Sequence, residues 1–120
     1  MTIRVVHTKL LFWANGMALT SRLILIHPSR RGDEALLAHE RVHCEQIAAE
    51  PFVVWFWLKY LFNDAFRLRT EVQAYKVQIA AMPEAARESA LENAARLLAN
   101  NYRLAITLDE ARELLTTTTQ

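Results

Sequence analysis

Glu34-Ala35-Leu36-Leu37-Ala38-His39-Glu40-Arg41-Val42-His43 is the stretch from which the rest of the chain can be read. It is built of strong helix formers, and Gly32-Asp33 just ahead of it supplies a break and a helix start. Leu36, Leu37, Val42 and Ile47 offer a buried side. Residues four apart on a helix stand one above the other, so the His39 and His43 imidazoles share a face, with Glu40 beside the first of them. That is the pattern H-E-x-x-H, in which two imidazoles hold one zinc ion and the glutamate acts as general base.

Working outward toward the N-terminus, residues 3–27 read as extended. Ile3-Arg4-Val5-Val6 and Leu10-Leu11-Phe12-Trp13 are apolar runs, Asn15-Gly16 is a hairpin turn signal, and Leu23-Ile24-Leu25-Ile26 is a β-rich run stopped by Pro28. They predict a small antiparallel sheet or hairpin whose strand near 22–27 leads through the loop 29–33 into the motif helix. Toward the C-terminus that helix, 34–49, must end before Pro51. The segment from Phe52 to Phe62 is apolar all round except for Lys59, which predicts a buried helix. Its load of Trp55, Trp57 and Tyr60 supports a rival expectation, an arm that docks on a protein partner, a second copy or a membrane surface. With only 11 residues it falls well short of the ~20 that span a bilayer. Asn63-Asp64 starts a helix over 65–81, Pro83-Glu84 opens another over 84–101, and Thr107-Leu108-Asp109-Glu110 is a capping box for a short helix to Leu115. Thr116 to Gln120 is a polar tail expected to fray.

The whole is predicted to be one α+β, mainly α domain over residues 1–120, since a chain of this length builds one core. Fourteen basic and 13 acidic residues give a net charge of +1, scattered except at Arg30-Arg31 and Arg67/Arg69, which argues against a nucleic-acid partner. The single cysteine, Cys44, excludes a disulfide framework and a multi-cysteine zinc site. It follows His43 by one residue, hence turns about 100° away from the zinc face, and reads as a small buried side chain. No secretory signal pattern opens the chain, and a cytoplasmic location is expected.

A catalytic zinc site needs a third protein ligand. A histidine six residues past His43 would mark the metzincins, but Ala49 stands there and Gln46 replaces their glycine, so that class is excluded. His7, His27, Asp64 and Glu71 remain. In a plain hairpin turning at Pro51, Glu71 would lie about 30 Å from the turn and His43 about 12 Å, at 1.5 Å per residue. A break near 62–64 removes the conflict and lets the 65–81 helix pack back across the motif helix. Arg67, Glu71 and Tyr75 share one face of it, and Glu71 stays open between a metal ligand and a solvated ion pair with Arg67. Gln46 stays open between flanking the site and bonding loop backbone.

His39-Glu40-x-x-His43-x-x-Gln46, an aromatic segment ending Tyr60-Leu61, and Glu71-x-x-Ala74-Tyr75 together resemble the gluzincin zinc metallopeptidases in a minimal, zincin-like form. The chain is similar there to small bacterial and phage proteins of undefined function, over residues 20–76. The resemblance implies His39, His43 and Glu71 as zinc ligands and Glu40 as general base in hydrolysis of a peptide or protein substrate. Many gluzincins carry an acidic residue near position 75, where this chain has Tyr75; either Tyr75 hydrogen-bonds in the site or support for the ligand histidine comes from elsewhere. Tyr75, Arg67, Arg69 and His27 are the candidate donors to a developing oxyanion. The strand at 22–27, if it lies at a sheet edge, would pair with an extended substrate. The alternative expectation is a non-catalytic, zinc-stabilised helical binding module that acts through the 52–62 segment.

Overall fold

The computed structural model describes residues 2–117. A three-stranded sheet at the N-terminal end is followed by five helices, the α+β, mainly helical class that the sequence predicts. Strands β1 (Arg4–His7), β2 (Gly16–Thr20) and β3 (Leu23–Ile26) are arranged in the order β1-β3-β2. β2 pairs antiparallel with β3, while β1 runs parallel to it, Arg4 opposite Leu23 through His7 opposite Ile26.

Three expectations change here. The sheet is mixed, and β3 is its central strand, so the 22–27 segment has no free edge on which to seat a peptide. Leu10-Leu11-Phe12-Trp13 forms no strand: Leu11 is buried in the connection between β1 and β2, with Leu10, Phe12 and Trp13 turned outward. The hairpin turn falls at Ser21-Arg22, where Thr20 Oγ1 accepts a hydrogen bond from the Arg22 N–H at 3.1 Å, and Gly16 opens β2 instead of making a turn. Gly16 is there for want of space. A Cβ at that position would stand 3.1 Å from Ile26 Cδ1 and 3.3 Å from the Glu40 side chain.

A 3-10 turn (Pro28–Arg30) leads into α1 (Glu34–Ala48), which Asp33 caps by accepting the Leu36 N–H at 3.0 Å. Helices α2 (Val53–Phe62) and α3 (Asp64–Ala80) are separated by the single extended residue Asn63, φ −125° and ψ 104°. Its N–H closes α2 on the Lys59 carbonyl, and its side chain opens α3 by accepting the Phe66 N–H at 3.0 Å. The break between Pro51 and Glu71 that the third ligand demands is therefore made by one residue. α3 returns antiparallel to α1: Gln46 meets Thr70, His43 meets Glu71, and His39 meets Tyr75. Helices α4 (Glu84–Asn100) and α5 (Leu108–Thr116) complete the chain, the latter with the expected capping box of Thr107 and Glu110. The last three residues of the polar tail, 118–120, lie outside the described residues.

Two apolar clusters hold these elements. Ala18, Ile24 and Ile26 of the sheet pack with Cys44, Ile47, Phe56 and Phe66; farther along, Tyr75 joins Ala94, Ala95, Leu98, Leu104, Ala111 and Leu115. Helix α2 departs from the buried helix that was predicted. Phe56 is its one buried residue; Val53, Trp57 and Tyr60 flank it on the inner side, while Val54, Trp55, Leu58, Leu61 and Phe62 form an exposed outer stripe. Burial follows the neighbours a helix finds, and the sheet with α1 and α3 covers only one side of this one.

The buried Arg67 ties distant parts together. Its guanidinium donates to the carbonyls of Tyr60 (2.7 Å), Leu61 (3.3 Å), Tyr102 (2.8 Å) and Arg103 (3.3 Å), and to the Asp64 carboxylate at 2.6 Å. It thus spans the end of α2, the start of α3 and the connection between α4 and α5. Among the described residues no helix is long and apolar enough to cross a membrane.

Candidate metal centre

Because α1 and α3 run antiparallel, Glu71 lies over the paired histidines. His39 Nε2 is 3.2 Å from Glu71 Oε1, and His43 Nε2 is 3.3 Å from either Glu71 oxygen. All three side chains are buried, and their candidate ligand atoms lie within 4.8 Å of one another. Two imidazole nitrogens and one carboxylate are a donor set that zinc favours, and bonds of ~2.0–2.1 Å set the edges of a tetrahedron at roughly 3.3–3.4 Å. The nitrogen-to-carboxylate separations already have that value. Three protein donors leave a fourth position open, as catalytic sites require.

The surroundings hold each group differently. His43 Nδ1 meets Gln46 Oε1 at 2.8 Å, and the Gln46 amide donates to the Thr70 carbonyl at 3.1 Å and to Gln73 Oε1 at 2.7 Å. Both expectations for Gln46 thus hold in part: it flanks the site and bonds backbone, though the backbone is that of α3. Glu71 accepts a hydrogen bond from the Tyr60 hydroxyl. His39 packs edge-on against the Tyr75 ring, centroids 4.5 Å apart, and its buried Nδ1 has no hydrogen-bond partner among the described residues. Glu40 reaches to 4.0 Å of His39 Nε2, lies against Gly16, and accepts a hydrogen bond from the Ala18 N–H.

Charge balance follows from this packing. Burial pushes the Glu40 carboxyl up despite the two histidines beside it. For His43, burial works the other way, but the Glu71 carboxylate outweighs it and holds the imidazole up at about 9. Burial would also raise Glu71, yet His43 and His39 draw its carboxyl well below the usual range. The Tyr60 hydroxyl is pushed up by burial and then by the Glu71 charge, so it stays a donor to that carboxylate. Cys44, buried and donating to the Thr20 carbonyl, rises to about 11 and faces away from the cluster as expected.

The other sequence candidates are placed elsewhere. His7 lies on β1, His27 Nδ1 bonds Ser29 Oγ at 2.8 Å, and the exposed Asp64 pairs with Arg67; none joins the His39, His43, Glu71 group. Arg67 makes no pair with Glu71 and spends its donors on the carbonyls above, while Arg69 lies over the Phe66 ring. The Tyr75 hydroxyl bonds that of Tyr102 at 2.7 Å and not a histidine nitrogen, so Tyr75 meets the site through its ring. Sequence reasoning placed neither Tyr60, Gly16 nor Ala18 at the site: Gly16 was read as a turn and Tyr60 as part of a docking arm. Tyr60 precedes Glu71 by 11 residues, and only the bend at Asn63 brings the two together.

The cluster lies at the base of an open cleft of about 1630 Å³. One wall is the 11–18 segment with Phe12 and Trp13, the other the α4 face that carries Asn93 and Leu97. Comparison with known proteins returns no matching family model, no matching curated protein and no matching solved structure, so the chemistry of these side chains is what speaks for function.

Proposed function

We propose that this chain is a zinc-dependent peptide hydrolase of the gluzincin kind, with His39, His43 and Glu71 as metal ligands and Glu40 as general base. The observation that carries it is the spacing of the two Nε2 atoms from the Glu71 oxygens, 3.2 and 3.3 Å, with Glu40 buried alongside at the base of a cleft. When bound, zinc supplies Lewis acidity that polarises a carbonyl and brings the pKa of a water toward neutrality. Glu40, raised by burial, accepts that water's proton and can return it to the leaving amine. Tyr60 keeps Glu71 oriented, and Gly16 leaves Glu40 room at the β2 edge.

That edge also suits an extended substrate. His27 N–H bonds the Asn15 carbonyl at 2.8 Å, so the alternation of an antiparallel pair turns the backbone groups of Gly16 and Ala18 away from β3, toward Glu40. β2, and not the central 22–27 strand, is then the one that pairs with substrate. The deciding experiment uses zinc-loaded protein and a pool of unstructured peptides. Glu40→Gln should retain the zinc stoichiometry and melting temperature of wild type while hydrolysis falls by about 10²–10⁴. Wild type that binds zinc and cleaves nothing sinks the hydrolase.

The outer stripe of α2 favours one second reading, a zinc-stabilised module that docks by this helix. Its signature is zinc-loaded wild type without hydrolytic activity that sediments as an oligomer.

A further inference from the structure

The geometry points to Gln46 as the positioning residue that fixes which nitrogen of His43 faces the metal; this rests on the metal reading above. The logic starts from a group whose polarity is certain. The Thr70 carbonyl can only accept, so the end of the Gln46 amide that lies 3.1 Å from it must be the NH₂. Gln73 Oε1, 2.7 Å from the same nitrogen, is a second acceptor and locks the amide in that sense. The opposite end, Oε1, is then an acceptor pointed at His43 Nδ1 from 2.8 Å. His43 must meet it with an N–H, because two lone pairs at that distance would repel. In the neutral imidazole that a metal ion takes as ligand, a proton held on Nδ1 leaves the lone pair on Nε2, the atom 3.3 Å from Glu71. A backbone carbonyl on α3 thus sets the polarity of an amide on α1, and the amide sets the histidine. Among the described residues His39 has no such device, its buried Nδ1 being without a hydrogen-bond partner there.

The two ends of the amide can be tested apart. Gln46→Glu keeps an oxygen for His43 Nδ1–H but loses the donor to Thr70 and Gln73; Gln46→Met keeps the length and loses both. Zinc affinity, read by competition with a chromophoric chelator, separates the roles. Positioning through the acceptor raises the Kd of Gln46→Met by about 10–100-fold and leaves Gln46→Glu within about threefold of wild type. Gln46→Met equal to wild type overturns the inference, and so does Gln46→Glu as weak as Gln46→Met, because then only the tie to α3 matters. A long-range proton–nitrogen spectrum of the zinc-loaded protein should show His43 protonated at Nδ1; protonation at Nε2 overturns it as well. If wild type binds no zinc, the proposed function falls and takes this inference with it, whereas tight wild-type binding with no difference among variants removes only the role of Gln46.

Discussion

A hydroxyl placed on Glu71 changes what that carboxylate can do. The Tyr60 hydroxyl donates to a buried carboxylate that both histidines flank, and a hydrogen bond to a charged group is worth about 1.5–3 kcal/mol. Tyr60→Phe keeps the ring against Phe56 and Trp57 but removes the donor. Zinc affinity should fall by about 10–100-fold with little change in melting temperature, and a chelator competition that finds no fall would remove Tyr60 from the site. Sequence could name His39, Glu40 and His43 because one helical period sets their relation. Spacing alone left Glu71 open, so that the resemblance had to name it as third ligand, and it put Tyr60 outside the site, because the places of both depend on a bend in the chain that no local spacing encodes.

Elements meet at Asn63. It ends α2 and caps α3 at once, and without it two good helical sequences would abut with no stop between them. Asn63→Ala removes the cap, at a cost of about 1 kcal/mol, and lets α2 run on into α3. The expected outcome is a lower urea midpoint together with weakened zinc binding, because a straightened helix carries Glu71 away from His43; an unchanged zinc affinity would show that packing alone sets the angle. The helices were legible through caps and period: Asp33, Asn63 and Thr107 all act as the sequence suggests. The sheet was less so. Asn15-Gly16 has the composition of a turn, yet the glycine serves close packing against Glu40, and the parallel pairing of β1 with β3 is a long-range choice invisible in either run. An all-round apolar α2 carries no mark of which side the rest of the chain will cover.

Across the whole molecule, Arg67 joins what the sequence keeps apart. Arg67→Met would take the guanidinium donor from four part-buried carbonyls, those of Tyr60, Leu61, Tyr102 and Arg103. With about 1–3 kcal/mol for each buried group left without a partner, and partial relief by water, a loss of roughly 3 kcal/mol or more is expected. Equilibrium urea unfolding measures it, and a loss under 1 kcal/mol would mean that the clasp is dispensable. The same guanidinium has a consequence for anyone choosing where to cut this chain. Every residue assigned to metal chemistry falls between positions 16 and 75, which tempts one to express that stretch by itself. Arg67 takes two of its carbonyl partners from positions 102 and 103, and Tyr75 leaves its hydroxyl on Tyr102. The last two helices and their connection therefore act as an internal scaffold for the motif, and a fragment ending before Tyr102 would carry every ligand yet leave Arg67 without two of its carbonyl acceptors and Tyr75 without its hydroxyl partner.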